Sequence, residues 1–292
     1  MIYRQLTAIP AGSALTIGNF DGVHAGHQLL IERVVSAKQH GASAACVIIF
    51  EPHPRDFFTP PLQPTRIMTF AQKYRILREL GVDKIFCLSF NQGFAAQSYQ
   101  QFWQKIQETI APSYLVLGAD FRFGYKRMGS IAYIQEQAAH YHYRVDVISD
   151  HMIRGERVSS TRLRQLLEQH DYNQYQVLTG RTLTWQGKGQ WSVEYGYHTL
   201  RLAMPQNQFP GNGVYVVQVE NTKALAYLYA EKQRRVVAVY WPHEHGLHEG
   251  GSIKLTWLAY MRGASNDTEK PECRAQISRD MECYMRILSD FQ

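Results

Sequence analysis

Residues 15 to 27 read Leu-Thr-Ile-Gly-Asn-Phe-Asp-Gly-Val-His-Ala-Gly-His, and this stretch combines three local signals. The apolar run that ends at Gly18 is typical of a buried strand, and Asp21-Gly22 is typical of a tight turn. Apolar spacing from His24 to Val35 predicts a helix. His24 and His27 stand three positions apart, so both are expected on one face of the first helical turn.

A strand–turn–helix junction of this kind is suited to binding phosphate. Unpaired backbone N–H groups at a helix N-terminus attract anions, glycines let the backbone approach a ligand closely, and two imidazoles add hydrogen-bond donors. A purely structural turn is the alternative, because an isolated histidine is commonly an ordinary exposed or core residue. The combination of features favours the phosphate site.

Apolar runs and helical segments alternate regularly over residues 14–149. The predicted strands are 14–18, 44–50, 84–90, 114–118 and 143–148, and the predicted helices are 24–39, 69–80, 98–110 and 130–140. This alternation predicts βαβ units and a parallel sheet. Ligands of such sheets bind at the carboxyl ends of the strands, so we expect functional loops directly after strands.

Three further polar motifs follow predicted strands. The first is Phe50-Glu-Pro-His-Pro-Arg-Asp-Phe-Phe58, in which Arg55 offers a planar fork for phosphate and the Phe pair offers a ring surface. The second is Gly118-Ala-Asp-Phe-Arg-Phe-Gly124. The third is Arg157-Val-Ser-Ser-Thr-Arg-Leu-Arg164, in which hydroxyl groups precede a helical pattern as they do at an N-cap.

Each motif also has a structural interpretation. The Pro-His-Pro loop can simply cover the core, the Ser-Ser-Thr run can be no more than a helix cap, and Asp120 with Arg122 and Lys126 can form a solvated ion pair of little energetic worth. Because all of them fall on one side of one predicted sheet, we favour a shared binding site.

Taken together, the motifs resemble those of a known family. Gly18-Asn-Phe-Asp-Gly-Val-His-x-Gly-His-Gln28 resembles the nucleotidyltransferase superfamily and, more particularly, the FMN adenylyltransferase module of prokaryotic bifunctional riboflavin kinase/FAD synthetases. Phe-x-Pro-His-Pro, Gly-x-Asp-Phe-x-Phe-Gly and Arg-x-Ser-Ser-Thr-x-x-Arg follow in the family's order, so the similarity covers roughly residues 10–181. The resemblance implies an enzyme that makes FAD from FMN and ATP with the help of Mg²⁺.

The resemblance also implies roles for individual residues. It assigns His24, His27 and Arg164 to catalysis, as donors to the triphosphate. It assigns to nucleotide and flavin binding Gly18, Asn19, Phe20, Asp21, Gly26, His53, Arg55, Asp120, Phe121, Arg157, Ser160 and Thr161. Within that set, Asp120 and its loop would serve the adenosine or flavin side. No residue is assigned as a direct metal ligand.

Beyond Gly180-Arg181 the pattern changes to that of an antiparallel structure. Strand-like alternation covers segments 190–203, 213–220, 224–230, 234–241 and 252–261, and residues 271–289 predict a closing helix. We therefore expect an α/β fold with a Rossmann-like nucleotidyltransferase domain over residues 1–181. A small antiparallel β-barrel with a terminal helix would follow over residues 182–292, at the position of the family's riboflavin kinase.

The kinase signature is degenerate in this chain. Its Gly-Phe-Pro-Thr-Ala-Asn motif corresponds to Gly196-Tyr-His-Thr-Leu-Arg201, which puts a cation where a metal-coordinating amide is expected. The region from Arg235 to Trp241 lacks the acid that would activate riboflavin. We predict an FAD synthetase that has lost kinase activity. A bifunctional enzyme, a nucleotidyltransferase with another phosphorylated acceptor, and a non-catalytic nucleotide sensor are the alternatives.

Length and composition limit the remaining choices. A chain of 292 residues accommodates about two domains, and a net charge of +6 without a basic run favours small phosphorylated ligands over nucleic acid. No signal peptide or membrane-length apolar run is apparent in the sequence, so we expect a cytoplasmic protein without membrane partners. The four cysteines predict neither a zinc site nor a disulfide framework. Strand edges of the barrel are compatible with a homo-oligomer.

Overall fold

The five predicted strands of the N-terminal half pair into one parallel sheet, to which a short strand that was not predicted, Ile2–Tyr3, adds at one edge. Its members are β1 (Ile2–Tyr3), β2 (Ala14–Ile17), β3 (Ala45–Glu51), β4 (Lys84–Ser89), β5 (Tyr114–Gly118) and β8 (Arg144–Ile148), in the order β1-β4-β3-β2-β5-β8. All neighbouring pairs run parallel. Strand β2 lies near the centre and is buried along its whole length, as expected of an apolar strand covered on both faces.

The structure is a computed structural model, and it describes residues 1–58, 65–205, 208–231, 234–241, 252–263 and 274–289. Two compact units are present in these residues. The first contains the described residues up to 58 together with 67–163, and the second contains residues 65 and 66 and those from 164 onward. The predicted boundary between a nucleotidyltransferase domain and a barrel domain, after residue 181, concerns function and stays a prediction.

The helices of the first unit begin where capping residues stand. Described helices are α1 (Ala25–Ser36), α2 (Pro54–Phe58), α3 (Phe70–Glu79), α4 (Gln92–Ala95), α5 (Tyr99–Thr109) and α6 (Ile131–Tyr141). Helix α7 (Ser160–Glu168) begins in this unit, and its residues from Arg164 onward belong to the second. Thr69 and Ser98 each form a reciprocal capping box with a glutamine three residues later, which satisfies two orphan N–H groups at each helix start. The four predicted helices are therefore confirmed to within a few residues.

Two short antiparallel pairs complete this unit. They are β6 (Arg122–Phe123) with β7 (Gly129–Ser130), and β9 (Met152–Ile153) with β10 (Glu156–Arg157). Both pairs lie in segments that follow strands of the parallel sheet, after β5 and β8. The motifs that begin at Gly118 and at Arg157 thus include strands of small hairpins.

A curled antiparallel sheet of seven strands forms the second unit. Its elements are α8 (Tyr172–Thr179), β11 (Thr184–Gly187), β12 (Gly189–Glu194), β13 (Tyr197–Met204), β14 (Gly213–Val219), β15 (Thr222–Glu231), β16 (Arg234–Trp241), β17 (Ile253–Arg262) and α9 (Arg274–Ser289), with the strand order β11-β17-β14-β15-β16-β13-β12. Ile277, Met281 and Tyr284 of α9 pack into its apolar cluster. The predicted antiparallel half with a terminal helix is confirmed, although the predicted helix start at 271–273 lies outside the described residues.

One strand prediction in this unit was wrong. Residues 190–203 form not one strand but the hairpin β12–β13, joined by Tyr195 and Gly196 with φ of 54° and 83°. Two consecutive positive φ values are what a tight hairpin turn requires, and they match the twist of the flanking strands. The alternation of residues continues through the turn, so periodicity alone did not reveal it.

Gly22 tests how tightly the first unit is packed at the turn between β2 and α1, which contains Asp21 and is called the Asp21 turn. Its φ is 83°, and an added Cβ would lie 2.5 Å from Cδ1 of the buried Leu163. Gly41 has a φ of 94° but no atom within 4 Å of that position. Gly22→Ala should therefore lower the free energy of unfolding by about 1 to 3 kcal/mol more than Gly41→Ala, because overpacking adds to the shared backbone strain. Urea unfolding of both variants measures the difference, and equal losses would contradict this packing.

Candidate active site

A tight turn connects β2 to α1. The amide of Val23 donates to the carbonyl of Phe20 at 3.2 Å, and Gly22 occupies a positive φ that an L side chain would strain. Phe20 and Val23 are fully buried and belong to the apolar cluster on one face of the parallel sheet. The predicted turn is confirmed, and its apolar residues fix it against the core.

The two histidines lie side by side at the start of α1. His24 is the N-cap of the helix, and its Nδ1 accepts a hydrogen bond from the backbone N–H of His27 at 3.2 Å. Their rings stack with centroids 3.6 Å apart and an angle of 15° between planes. Because Nδ1 of His24 is an acceptor, the proton of the neutral ring is on Nε2, which leaves that nitrogen as a donor.

Burial keeps both imidazoles neutral. It lowers the pKa of His24 to about 4, against a partial opposing effect of the Asp21 carboxylate, while positive charge on His151 and Arg157 lowers it further. Burial also lowers the pKa of His27 well below its usual value, and interaction with the neighbouring His24 ring and with Lys73 lowers it further. At neutral pH the pair therefore offers hydrogen bonds rather than positive charges.

Polar atoms without partners mark the same turn. Nδ1 of His27 and Oδ1 of Asn19 are both buried and form no hydrogen bond in this structure. Buried polar groups are nearly always paired, so two orphans within a few residues need an explanation. A ligand that enters the turn is one explanation that fits the chemistry of both atoms.

Glycines in the motif allow side chains to crowd against the backbone. A Cβ on Gly18 would lie 3.1 Å from the Phe20 ring, and one on Gly26 would lie 3.3 Å from the His24 imidazole. Both contacts are tighter than ordinary packing. The two glycines that the family resemblance assigned to binding thus have a steric role in the turn.

Helix α7 begins against this turn. Its cap is Ser159, whose hydroxyl accepts from the backbone N–H of Arg162 at 3.1 Å. Ser160 donates from its hydroxyl to the carbonyl of Asp21 at 2.8 Å, across 139 residues of sequence. Ser159 is therefore the helix cap, as in the structural interpretation of the Ser-Ser-Thr run. Ser160 instead contacts the turn, as in the functional interpretation. The N-terminus of α7 lies next to the α1 junction.

The remaining residues of that motif have contrasting surroundings. Thr161 is exposed. Arg157 is exposed and forms ion pairs with Asp120 at 2.7 Å and with Asp150 at 2.9 Å. The structural alternative for Asp120 was an ion pair with Arg122 and Lys126, but its carboxylate instead pairs with Arg157 of the β9–β10 hairpin. Arg164 is buried and donates from Nε to the carbonyl of Thr65 at 2.6 Å.

The loop after β3 is organised by its histidine. Nδ1 of His53 accepts from the backbone N–H of Arg55 at 3.0 Å, as a cap of the short helix α2. Arg55 itself is exposed. The structure thus gives His53 a local structural bond and leaves Arg55 facing solvent.

Aromatic rings link three of the loops at the carboxyl edge of the sheet. Phe57 and Phe58, after β3, lie 5.4 and 5.7 Å from Phe90, after β4. After β5, Phe121 stacks on Phe123 at 5.5 Å. The two groups are joined through the rings of Phe50, Phe94 and Phe102. Phe58 remains 68% exposed, so the cluster presents an uncovered ring surface.

Two residues near the turn were not identified from the sequence. Lys73 on α3 is only 4% exposed. His151 follows β8, and its Cβ lies 3.6 Å from the position that a Cβ on Gly26 would occupy. Neither stands in a recognisable motif. A lysine in an amphipathic helix and a histidine in a loop are both common. Only the tertiary structure therefore shows that these two residues lie near the turn.

Within the described ranges, no group of three or more His, Cys, Asp or Glu side chains is arranged to hold a metal ion. No helix in the described part of the chain has the length and apolar character to cross a membrane. Of the cysteines, Cys46 and Cys87 are buried, Cys283 is exposed, and all three are free thiols. Cys273 lies outside the described residues.

The fold and this geometry define an α/β protein with a phosphate-suited junction at the carboxyl edge of a parallel sheet. Residues 6–162 match the family model described as FAD synthetase. A bifunctional riboflavin kinase/FMN adenylyltransferase of Pseudomonas fluorescens is 35% identical over 72% of this chain and 68% of its own length. This chain belongs to the FAD synthetase family.

Further relatives extend the similarity along the chain. The bifunctional riboflavin kinase/FMN adenylyltransferase of Escherichia coli K12 is 32% identical over 75% of this chain and 71% of its own length. That of Buchnera aphidicola subsp. Schizaphis graminum is 28% identical over 98% of this chain and 97% of its own length. A solved structure titled as a macrolide-efflux protein from Streptococcus pneumoniae has a TM-score of 0.77 at 22% identity and covers 98% of this chain and 97% of its own, which establishes likeness of fold alone.

The lowered pKa of His24 predicts loss of stability in acid. An unfolded histidine takes up a proton near pH 6.5, whereas folded His24 does so only near pH 4. The unfolded state therefore binds more protons between these values, and the folded state loses about 3 kcal/mol as the pH falls through this window. Above pH 6.5 the contribution is fully present.

His24→Asn isolates this contribution, because asparagine is a good N-cap but does not titrate. The free energy of unfolding of this variant should depend less steeply on pH between 6.5 and 4 than that of the wild type. Histidine NMR titration of the wild type checks the pKa directly. A His24 resonance that titrates near pH 6.5 would contradict the assignment of a buried neutral ring.

Proposed function

We propose that this chain is an FMN adenylyltransferase, which transfers AMP from ATP to FMN and releases pyrophosphate. The contact between Ser160 and the Asp21 carbonyl carries the proposal, because it brings the N-terminus of α7 beside the His24–His27 junction of α1. Two helix N-termini and two imidazole rings then serve one region, which suits a chain of phosphates better than a single anion.

In this proposal the histidines act as neutral donors. Nε2–H of His24 is available because Nδ1 is occupied by the backbone of His27. Adenylyl transfer needs in-line positioning of the FMN phosphate and stabilisation of charge on the triphosphate, with little covalent chemistry from the protein. Preorganised donors in a buried site are effective at this because they need not reorganise during the reaction.

A general base is not required. A phosphate monoester is already largely ionised at pH 7, so the attacking oxygen of FMN needs no proton removed. Ser160, Thr161 and Arg164 are proposed to hold the β- and γ-phosphates, and Arg157 would exchange its two carboxylate partners for phosphate on binding. Asp120, released from that pair, is proposed for the adenosine or flavin side.

The donor set fits Mg²⁺ that is held mainly by phosphate oxygens. Mg²⁺ commonly combines one or two carboxylates with substrate phosphates, and the buried carboxylate of Asp21 lies in the turn itself. That carboxylate also accepts from the amide of Ile67 at 3.4 Å. When bound, the ion would supply neutralisation of phosphate charge. The residues of the chain would position the nucleotide.

The aromatic cluster supports FMN as the acceptor over a non-aromatic phosphorylated compound. Phe57 and Phe58 expose ring surface beside Phe90, at the same sheet edge as the His24 turn. A planar ligand such as isoalloxazine gains from stacking on such rings. Phosphopantetheine-like acceptors have no ring of this kind, so they would leave the surface uncovered.

We further propose that the second unit lacks riboflavin kinase activity. Arg201 holds Glu194 in a two-point ion pair at 2.6 and 2.9 Å and lies 3.5 Å from Glu231. This pairing raises the pKa of Arg201, so its charge is permanent. A fixed guanidinium at the position of a metal-coordinating amide opposes Mg²⁺ binding. A cavity of about 700 Å³ beside Arg201 is lined by Lys188 and Arg234 as well.

A cytoplasmic location and self-association through the second unit remain predictions. The proposed small-molecule partners are FMN and ATP. Nucleic acid is not proposed as a partner, because the polar groups that converge on the Asp21 turn suit a single nucleotide.

His27→Ala tests the adenylyltransferase proposal. Losing a preorganised donor typically lowers the rate by about 10² to 10³, and the variant should fold because alanine favours helices. FAD formed from FMN, ATP and Mg²⁺ is measured by chromatography, with pyrophosphate release as a second signal. His40→Ala is the matched control, since His40 is exposed in the turn after α1. Absence of FAD with the wild type, or an unimpaired His27→Ala variant, would refute the mechanism.

Riboflavin supplied with ATP and Mg²⁺ tests the second proposal. We expect no FMN and therefore no FAD, whereas the same preparation given FMN should make FAD. The FMN reaction is the internal control for folding and for active nucleotide. Formation of FMN from riboflavin would overturn the loss of kinase activity and would leave the adenylyl transfer intact.

A further inference from the structure

His151 is a half-buried histidine that belongs to none of the sequence motifs. It directly precedes β9, and its carbonyl accepts a hydrogen bond at 2.9 Å from the backbone N–H of Val158, which directly follows β10. The two residues therefore continue the register of the hairpin by one pair. Because Val158 is buried, the backbone of His151 is fixed to a residue of the core.

The β9–β10 hairpin is anchored at the Asp21 turn. Val158 stands two residues before Ser160, whose hydroxyl donates to the carbonyl of Asp21 at 2.8 Å. Arg157, the neighbour of Val158, forms an ion pair at 2.7 Å with Asp120 in the loop after β5. A hydrogen bond and an ion pair thus hold the hairpin beside the start of α1.

The side chain of His151 lies against the first turn of α1. Its Cβ is 3.6 Å from the position that a Cβ on Gly26 would occupy, and the same position is 3.3 Å from Nδ1 of His24. The missing side chain of Gly26 therefore leaves a space that is bounded by His151 and by the His24 ring. An imidazole extends only a short distance from its Cβ, so the His151 ring is within reach of a ligand at Gly26. In agreement with this position, charge on His151 lowers the pKa of His24.

Several hydrogen-bonding groups around Gly26 are open. Among the residues that the structure describes, the backbone N–H groups of Ala25 and Gly26 have no acceptor, and the ring nitrogens of His151 have no partner. Nδ1 of His27 is buried and unpaired as well. Open amides at a helix N-terminus attract anions, and an imidazole N–H group adds a further donor. A ligand with several acceptor oxygens, such as a chain of phosphates, fits this set.

We propose that His151 binds the phosphate chain of ATP as a third imidazole beside His24 and His27. This role rests on the proposed adenylyl transfer, and it adds a binding residue that lies outside the sequence motifs. His24 and His27 come from the start of α1, whereas His151 reaches the phosphates from the hairpin that leads to α7. Its ring donates a hydrogen bond to a phosphate oxygen. FMN binding depends on it much less, because the α1 junction is the proposed ATP site.

The test compares His151→Ala, which removes the ring, with His151→Gln, which keeps a hydrogen-bond donor. His140→Ala is the matched control, because His140 is an exposed histidine of α6. Calorimetry on the full chain measures binding of ATP and of inorganic pyrophosphate with Mg²⁺ and without FMN, and FAD formation gives KM for ATP and for FMN. His151→Ala should bind ATP and pyrophosphate about 3- to 10-fold more weakly, the loss typical of one hydrogen bond.

His151→Gln should retain most of the affinity, His140→Ala should equal the wild type, and KM for FMN should stay nearly constant. Unchanged affinity of His151→Ala for ATP or for pyrophosphate would overturn the proposal. Equal losses in His151→Ala and His151→Gln would also overturn it, as would equal losses for ATP and FMN, because neither result is expected of a hydrogen bond to the phosphates of ATP.

Histidine NMR of the wild type provides a second measurement that needs no folded variant. The ring resonances of His151 should shift when pyrophosphate is added, whereas those of His140 should not. If His151→Ala does not fold, this shift decides, and His151 resonances that stay in place would overturn the proposal. If the wild type makes no FAD, the adenylyl transfer fails, but calorimetry and NMR still decide whether His151 binds the phosphate chain.

Discussion

The hydrogen bond from Ser160 to the Asp21 carbonyl is the contact on which the organisation of the N-terminal unit depends. It joins residues 139 positions apart and sets the start of α7 against the turn before α1. Leu163 packs against Gly22, and the Asp21 carboxylate holds the start of α3 through the Ile67 amide. One short turn is therefore in contact with the beginnings of three helices. Each of those beginnings has N–H groups directed away from its helix.

The electrostatics of this region follow from burial rather than from the number of basic residues. Imidazole rings that are neutral at physiological pH donate hydrogen bonds without the desolvation cost of a buried charge. The exposed Arg157 is balanced by Asp120 and Asp150. The cation with a resolved ion pair at this edge is therefore an exposed arginine, whereas Lys73 is buried.

The second unit uses arginine for structure. Arg235 is 3% exposed and donates to the carbonyls of Gln208 and Pro210 and to Oδ1 of Asn212, and burial lowers its pKa to about 10. Arg201 on β13 holds Glu194 of the neighbouring β12 and lies 3.5 Å from Glu231 of β15. These guanidinium groups join loops and strands in the unit where the kinase signature is degenerate. The nucleotidyltransferase motifs of the N-terminal half are thus intact, whereas arginines of the second unit hold its strands and loops together.

Local sequence by itself determined most of the elements and the set of motifs. Strands and helices of the parallel sheet were predictable because apolar periodicity and capping residues such as Thr69 and Ser98 act over a few residues. The position of each motif after a strand followed from the rule that ligands bind at one edge of a parallel sheet. The hairpin turn at Tyr195 was missed because alternating residues continue through it.

Only the tertiary structure decided which residues meet and in which state of charge. The pairing of Arg157 with Asp120, the contact of Ser160 with Asp21 and the burial of Lys73 all join segments far apart in sequence. The neutrality of His24 depends on the atoms that exclude water from its ring, and those atoms come from elsewhere in the fold. A sequence pattern records residue type and spacing, whereas desolvation and long-range contact exist only after the chain has folded.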